Sequence, residues 1–540
     1  MFRENKAHLN QQLFNTFTEM NSKCKKVFDK SWAIPFYEHV FCQIEEKLFA
    51  ALYCFNNGRP NFAVNILVSL EIIKAMFDYT DEQIEQFFHT NLDLIYAVGL
   101  RTIGVTHLNI RVVYDFRRRL YRHAIDHPED DLITKQFQKL TDHFAKMTKT
   151  STKMFRIDSS AILSNIKVAG RLALAVDILK KAVKICPQDR LTPALQEVLK
   201  ESFENKTLYH TRTSSSTSRL QEVINLCVEL KGLLPEKMEA KSLETTALLD
   251  RFLNDQAVYN DERNCWIIKS GKEIAATSLQ SVHDSEATYR WKNGLGTSGY
   301  IFTISETCDK NNPNQFLLDY ALDPNIKSDT AIFMERLPII KEVTGATEGY
   351  TDGGYYGADV DKLANEQNIA IHYTNMTGRV PNPNKLSLNQ FVIEGGKITT
   401  CPKDQSSTSS EFDEEKKNYT ACFALEICNQ CESRSQCPVK LTKKKATLKI
   451  TEKAVITAQN RAKMTSEQKD NTRMRAAIEG TNSVIKRAHG GGKLRVRGLT
   501  KMRATFGFIA IGHNFRQLYR YLNGSHRRGF EENFIVPIAA

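Results

Sequence analysis

Apolar residues recur at helical spacing along the first 150 residues of the chain. The clearest run covers residues 103–121, and Thr80 followed by Gln83 has the sequence of a capping box that opens a helix over residues 81–88. Residues 1–150 are therefore predicted to form a helical N-terminal domain. The pattern is typical both of a helix-turn-helix DNA reader and of a plain helical bundle, because no base-reading side chains stand out.

The pattern changes after residue 151 to short apolar strands that alternate with helices. One strand is predicted to end at Asp158, and residues 348–355 place Asp352 where a strand meets a glycine-rich turn. Helical spacing returns throughout residues 171–258. The alternation predicts an α/β sheet packed by helices over residues 151–375 and 445–525, with residues 171–258 as a helical insertion.

Residues 376–444 interrupt this pattern with prolines, a serine-rich stretch and a run of charges. Cys428 and Cys431 have the Cys-x2-Cys spacing, which lets two thiolates hold one tetrahedral zinc ion in a tight turn. Cys437 is the natural third ligand and Cys401 the fourth, with Cys422 as the competitor. The alternatives are a redox pair or buried free thiols. Zinc is preferred because a loop-rich stretch has few apolar side chains for a core, and four cysteine ligands would make the ion structural.

Basic residues are concentrated towards the C-terminal end. Residues 440–528 contain 22 Lys and Arg and 4 Asp and Glu, a balance of +18 against a net charge of +12 for all 540 residues. The rest of the chain is therefore acidic on balance. The basic segment indicates either a nucleic-acid surface or a solvated charged face. Residues 526–540 are predicted to be a C-terminal tail.

Length and composition exclude several classes of protein. A chain of 540 residues is expected to hold about two to four units, and its 41% hydrophobic and 25% charged residues are typical of globular proteins. The first 30 residues are polar and charged, so no secretory signal is expected. The most apolar helix, over residues 63–77, carries Glu71 and Lys74, so no membrane span is expected. Most cysteines lack ligand-like spacing and are interpreted as reduced thiols of a cytoplasmic protein.

Three carboxylates have surroundings that suit a metal site beside nucleic acid. Asp158 and Asp352 are placed at strand ends. Glu479 belongs to the spacing Thr472-x2-Arg475-x3-Glu479-x6-Lys486, which forms one narrow stripe on a helix. Such a trio could hold two Mg²⁺ or Mn²⁺ ions about 4 Å apart, which activate water or a 3′ hydroxyl and stabilise the leaving oxygen at phosphorus.

Other acids compete for this role. Asp284, Asp359 and Asp361 are the main rivals, but Asp284 lies in a polar turn and Asp359 has the position of a residue that starts a helix. They are ranked below the trio of Asp158, Asp352 and Glu479.

These motifs resemble the DDE transposases of bacterial insertion sequences. In that family the third acid lies in a helical motif of tyrosine, arginine, glutamate and lysine. The chain matches it at Arg475, Glu479 and Lys486 and departs from it at Thr472, where the family has tyrosine. Gly58-Arg59-Pro60 and residues 100–119 resemble the N-terminal transposase domain, and residues 284–300 resemble the central strands. The cysteine cluster resembles that of the "eleven-eighty-two" group of insertion sequences.

The resemblance implies an RNase H-like catalytic domain with a helical N-terminal transposase and DNA-binding domain, the helical insertion and a small cysteine-rich zinc-binding insertion. It implies Asp158, Asp352 and Glu479 as the catalytic residues that hold Mg²⁺ or Mn²⁺. The implied activity is cleavage at transposon ends and strand transfer into target DNA. The alternatives are a two-metal nuclease without strand transfer and a transposase-derived DNA-binding protein.

The basic residues around and after Glu479 are predicted to line a channel for double-stranded DNA, both transposon terminal inverted repeats and target. For Arg475, one turn before Glu479, the alternative is an ordinary ion pair on the helix. The predicted DNA contacts come from Arg475, Lys486, Arg487, Lys493, Arg495, Arg497, Lys501 and Arg503. A homodimer in the synaptic complex, located in the bacterial cytoplasm at the nucleoid and without a membrane, is expected.

Overall fold

The computed structural model describes residues 1–10, 15–167, 169–235, 239–292, 294–376, 382 and 384–524. The predicted tail of residues 526–540 lies outside this described part. Within it the chain forms a mixed α/β structure, which confirms the coarse fold class expected from the alternating pattern.

Helices form the N-terminal part of the molecule. The helix predicted over residues 81–88 is confirmed as α4, because Thr80 and Gln83 exchange the two hydrogen bonds of a capping box. α6 buries Val113, Phe116 and Leu120 and leaves its opposite face exposed. The helices α1 to α7 span Ser22–Phe28, Ala33–His39, Val64–Phe77, Asp81–Thr90, Leu92–Ala97, Ile110–Asp126 and Leu132–Thr148.

A six-stranded sheet forms the centre of the molecule. Its order is β6-β5-β1-β7-β8, with β4 paired to the other half of β5. β5 runs antiparallel to both β6 and β1, whereas β7 and β8 run parallel to β1. The strands β1 to β8 span Met154–Ile162, Ala257–Asn260, Cys265–Ile268, Thr288–Lys292, Leu295–Thr307, Leu317–Pro324, Glu348–Thr351 and Ala370–Tyr373, of which β2 and β3 form a separate hairpin.

Asp158 lies in the middle of β1, so its predicted place at the end of a strand is wrong. Ser159 and Ser160 resemble turn residues in the sequence, yet they continue the strand. They do so because β5 is 13 residues long and pairs with β1 beyond Asp158. Asp352 directly follows β7, at the predicted junction of strand and turn.

Residues 171–256 form five helices with a core of their own. The core includes Leu179, Ile224, Leu249 and Phe252. The helices α8 to α12 span Arg171–Val183, Pro193–Val198, Glu201–Glu204, Ser216–Leu233 and Ala240–Gln256.

Helices cover both faces of the central sheet. Phe155 and Ile157 of β1 face one side, where they pack with α13 and α14. Arg156 and Asp158 face the other side, which α16 and α17 cover, because successive side chains of a strand point to opposite faces. The helices α13 to α17 span Asp329–Thr344, Ala358–Glu366, Leu425–Asn429, Glu452–Ala488 and Leu499–Leu522.

A small four-stranded sheet follows the central one in the chain and leads directly into α16. Its order is β11-β12-β14-β13, and its core includes Ile398, Phe423 and Leu448. Thr451, the last residue of β14, caps α16 by accepting the Ala454 amide. The strands β9 to β14 span Val392–Glu394, Lys397–Thr400, Ser409–Asp413, Asn418–Phe423, Lys440–Leu441 and Ala446–Thr451.

Candidate active site

Asp158 is held between two side chains of α16. Asn482 Nδ2 donates to Asp158 Oδ2 at 3.0 Å, and Arg475 Nη2 lies 2.9 Å from Asp158 Oδ1. The carboxylate is mostly buried, and burial raises its pKa even though Arg475 acts in the opposite direction. Asp158 is therefore a fixed acid whose negative charge depends on a nearby cation.

Asp352 is positioned by the turn that follows β7. Its Oδ1 accepts the Gly354 amide at 2.8 Å, and its Oδ2 lies 3.7 Å from Arg475 Nη2. The turn requires glycine at residue 353, because a Cβ there would lie too close to Asn375. It would be 2.6 Å from the side-chain Oδ1 of Asn375 and 2.7 Å from the backbone carbonyl oxygen of the same residue. The glycine-rich sequence after β7 therefore brings the turn close to the chain beyond β8 and fixes the second acid.

Glu479 approaches from α16, one turn after Arg475. Its Oε1 lies 2.8 Å from Arg475 Nη1, and 64% of the Glu479 side chain remains exposed. The structure thus brings the three predicted acids together around a single guanidinium. The predicted helix pair between Arg475 and Glu479 is present, and the same arginine also reaches Asp158 and Asp352. Burial acts to lower the pKa of Arg475, but the carboxylates, Asp158 foremost, outweigh burial and raise it.

A buried ion pair fastens α16 to the sheet next to this site. Arg156 Nε donates to Glu306 Oε1 at 2.6 Å, and Arg156 Nη1 donates to the Met474 carbonyl of α16 at 2.9 Å. Thr481 Oγ1 donates to Glu306 Oε2 at 2.8 Å. These bonds attach α16 to the sheet at Met474 and at Thr481, which stand before and after Glu479 in the chain. Burial raises the pKa of Glu306, opposed mainly by Arg156.

Sequence reasoning missed several of these positioning residues. Arg156 and Asp158 stand two residues apart and so share one face of β1, a signal that could have marked Arg156. Asp329 also lies near the site: it accepts from Ser159 Oγ at 2.8 Å, and Arg290 Nη2 is 3.7 Å from its Oδ2. Its sequence context, directly after Ser328 at the start of α13, is that of an ordinary helix-start residue.

The rival acids have other roles. Asp284 accepts from the Tyr300 hydroxyl and the Gly498 amide, at 2.7 and 3.2 Å. Asp361 accepts from Tyr373 and Asn460, both at 2.6 Å. Asp359 is exposed on α14. Asp284 and Asp361 are therefore structural links.

Lys486 belongs to α16, the same helix as Arg475 and Glu479. Its Nζ is 5.9 Å from the centre of the Phe302 ring, and burial lowers its pKa while Asp158 acts to raise it. Arg487 and Lys493 are exposed.

The predicted DNA residues of the loop after α16 also make bonds within the chain. Arg495 donates to the carbonyls of Tyr79 and Asp78, at 2.7 and 3.1 Å. Arg497 donates to the Asn165 carbonyl at 2.6 Å, and Arg503 to the Leu322 carbonyl at 2.9 Å. These arginines thus attach the loop and α17 to other elements. Contact of all these basic residues with DNA stays a prediction.

The donor chemistry of the three carboxylates suits a hard divalent cation. They already surround one positive group, and two of their oxygens lie within 4 Å of the same Arg475 nitrogen. The guanidinium lies between these carboxylates. In the described ranges, no three His, Cys, Asp or Glu side chains form a group that could hold a metal ion. Asp158, Asp352 and Glu479 are the residues that would hold such a cation, and Arg475 would compete with it for their oxygens.

Four cysteines form a second cluster, away from the carboxylates in the sequence. Cys401, Cys428, Cys431 and Cys437 line one cavity of about 510 Å³, whereas Cys422 Sγ is 3.8 Å from Thr447 Oγ1 and does not line it. Burial, together with the three other thiols, raises the pKa of Cys428. All four are free cysteines. Within the described ranges, their side chains do not form a group that could hold a metal ion either.

Two family comparisons match parts of this chain. Residues 400–519, which include the cysteine cavity and Glu479, match "Transposase DDE domain". Residues 30–119 match "Transposase domain (DUF772)". No curated protein and no solved structure matches the chain significantly. The two matches support an insertion-sequence transposase, a class of protein that acts on DNA. Among the described helices, none has the length and apolar character needed to cross a membrane.

Proposed function

We propose that this chain is a DNA transposase that cleaves DNA at transposon ends and transfers the cut strand into target DNA. The observation that carries the proposal is the convergence of Asp158, Asp352 and Glu479 on one cationic position. The match of residues 400–519 to a transposase DDE domain supports it.

The strand order supports an RNase H-like catalytic domain as part of this proposal. Three antiparallel strands, β6-β5-β1, are extended by β7 and β8, which run parallel to β1. Asp158 lies on the central strand β1, Asp352 follows β7, and Glu479 lies on the covering helix α16. The separate cores of the helical insertion and of the cysteine-rich sheet support the proposed division into domains. The cysteine cluster supports membership of the "eleven-eighty-two" group.

Asp158, Asp352 and Glu479 would hold Mg²⁺ or Mn²⁺. A bound divalent pair supplies charge that activates water or a 3′ hydroxyl and stabilises the leaving oxygen at phosphorus. Asn482 keeps Asp158 in place through its 3.0 Å hydrogen bond. Arg475 would present its guanidinium to the scissile-strand phosphates, and Lys486, two turns after Glu479 on α16, would add a second positive charge.

The four clustered cysteines would hold a structural Zn²⁺. Their shared cavity and their Cys-x2-Cys spacing support this role, and Cys401 rather than Cys422 completes the set. Elemental analysis of protein purified without added metal should find about one zinc per chain. Protein that binds no zinc, even after reduction and zinc addition, would refute it.

The partners we propose are double-stranded DNA, as terminal inverted repeats and as target, and a second copy of the chain in the synaptic complex. The bacterial cytoplasm, at the nucleoid, is the proposed location. The enzymatic alternative is a two-metal nuclease that cuts without strand transfer. The other alternative is a transposase-derived protein that only binds DNA.

One experiment separates the three functions. A labelled DNA end taken from the sequence flanking the gene is incubated with plasmid and Mg²⁺ or Mn²⁺, and products are resolved on a gel. Joined product supports the transposase, cut but unjoined product supports the nuclease, and bound but uncut DNA supports the binding protein. Glu479→Gln is the matched control, because it keeps the size of the side chain but removes a metal-binding charge.

A further inference from the structure

The exposed face of α6 carries a stripe of arginines with two exposed apolar or aromatic residues. At 100° per residue, positions 111, 114, 118, 122 and 125 fall within about 80° of one another. Tyr114 is 45% exposed and Ile125 is 66% exposed, between arginines that are themselves exposed. The stripe consists of Arg111, Tyr114, Arg118, Arg122 and Ile125.

The arginines of the stripe differ from Arg117 on the same helix. Arg117 is mostly buried and pairs with Glu71 and Asp81 inside the N-terminal domain. Arg118 has one acidic neighbour, Asp115, which is itself 48% exposed. Arg111 and Arg122 form no ion pair with any residue that the structure describes. α6 as a whole carries five arginines and two aspartates, Asp115 and Asp126, so the helix is basic on balance.

Two adjoining cavities connect the stripe to the surface near the carboxylates. The first is lined by Tyr114, Arg118, Arg122 and Ile125, with one acid, Asp126. The second is lined by Lys493, Arg495 and Arg497 of the loop after α16, and on its other side by Lys74 and by four acids, Glu71, Asp78, Asp81 and Glu82. Three residues line both cavities: Arg117, Tyr121 and Lys501.

The loop itself reaches the catalytic strand. The backbone of Lys493 pairs with Leu163, the residue after β1, and β1 contains Asp158. A surface with many basic residues thus extends from the neighbourhood of the carboxylate site, along the loop, to the outer face of α6.

We propose that the α6 stripe binds the phosphate backbone of duplex DNA that extends from the cleavage site along this surface. The inference rests on the proposed function and adds a second region of contact to it. Arg111 and Arg122 are separated by about 17 Å along the helix, which equals the rise of about five nucleotides on one strand. Arginines bind phosphate by paired N–H donors. Tyr114 adds a hydroxyl that can donate one hydrogen bond to a phosphate oxygen.

The test measures DNA affinity as a function of salt for Arg118→Ala/Arg122→Ala. The matched control is Arg263→Ala/Lys272→Ala, which removes the same charge at exposed positions that line neither cavity. The α6 variant should bind any long duplex on the order of tenfold or more weakly at 0.1 M salt, with a log–log salt slope lower by about two. Arg118→Lys/Arg122→Lys should keep most of the slope, because the charge remains.

Duplex length locates the contact. On DNA too short to extend from the cleavage site beyond the loop after α16, wild type and Arg118→Ala/Arg122→Ala should bind alike, and the difference should appear as the duplex is lengthened towards α6. If the wild type binds long DNA and the α6 variant behaves like the control, the α6 contact is refuted while the proposed function stands. A loss confined to one terminal sequence refutes a phosphate contact. A wild type that binds no DNA refutes both proposals.

Discussion

The carboxylate site and the cysteine cavity assemble their functional groups in different ways. The carboxylates come from β1, from the turn after β7 and from α16, so their meeting requires the complete central sheet and its covering helix. The four thiols come from one segment, Cys401 to Cys437, beside a small sheet with its own core. The first site therefore depends on long-range packing, whereas the second depends on local turns.

The two regions also differ in how they manage charge without a bound metal. The three carboxylates surround Arg475, which supplies a positive charge from within the chain. In the cysteine cavity, burial and the neighbouring thiols raise the pKa of Cys428, although Arg434 acts against this. At the proposed sites, zinc would therefore have to displace the Cys428 proton, whereas Mg²⁺ would have to compete with the Arg475 side chain.

The largest effect is expected from Asp158→Asn. The substitution keeps the shape of the residue between Asn482 and Arg475 but removes the central charge, and strand cleavage should fall by at least about 10³-fold, or about 4 kcal/mol. Cleavage rates and affinity for uncut DNA are measured together, and affinity should change little.

Asp329→Asn is the matched control for this prediction. Asp329 is a nearby buried acid, bonded to Ser159, that does not contact Arg475. Its substitution should cost no more than about tenfold in cleavage, or about 1.4 kcal/mol. Equal losses for the two variants would contradict the special role of Asp158.

Glu306→Gln should test the packing on which the carboxylate site depends. It leaves Arg156 buried without its charged partner and should lower the free energy of unfolding by about 3–5 kcal/mol. Denaturant unfolding measures the change. Replacing both residues, as Arg156→Met/Glu306→Leu, should recover most of the stability because no buried charge remains. A single variant as stable as wild type would show that the ion pair does not hold α16.

The parts of the two sites that could be predicted from sequence differ for the same structural reason. The Cys-x2-Cys spacing and the helical stripe of Arg475 and Glu479 are local, so the sequence alone indicated which residues share a turn or a helix face. The place of Asp158 at a strand end was predicted wrongly, because the pairing that extends β1 comes from β5, more than 130 residues later.

The residues that pair across long distances in the sequence could not be predicted from the sequence alone. Glu306 is one acid among 62, and only the register of β1 with β5 places it opposite Arg156. The reach of Arg475 across to Asp158 and Asp352 likewise depends on where α16 lies over the sheet. Arg495, Arg497 and Arg503 were predicted to face DNA because the segment is basic, yet the carbonyls to which they donate lie on distant elements.

Acid should weaken the packing around α16. His489, just after α16, and His513 of α17 are buried with ring centres 5.7 Å apart. Burial, with Arg516 and Arg520 nearby, lowers the pKa of His513 to about 3 and that of His489 well below its usual value. Unfolded histidines titrate near pH 6.5, so stability should be complete above that pH and fall below it.

The expected loss is up to about 2 kcal/mol per histidine between pH 8 and pH 5. Unfolding at the two pH values measures it, and His513→Gln should remove about half of the pH dependence. A stability that is flat from pH 8 to pH 5 would contradict burial of the neutral pair.

Cys428→Ser should have the smallest effect on cleavage and so tests how separate the two regions are. Loss of one of four thiols should abolish tight zinc binding, because a hydroxyl is a poor replacement for a thiolate ligand. Proteolysis between residues 384 and 445 should become faster, whereas cleavage of DNA should change by less than about threefold, or about 0.7 kcal/mol. Cys422→Ser is the control, since Cys422 does not line the cavity, and it should keep the zinc. The small sheet leads into α16 through Thr451, so a large loss of cleavage in Cys428→Ser alone would show that zinc also positions Glu479, and the two regions would then act as one.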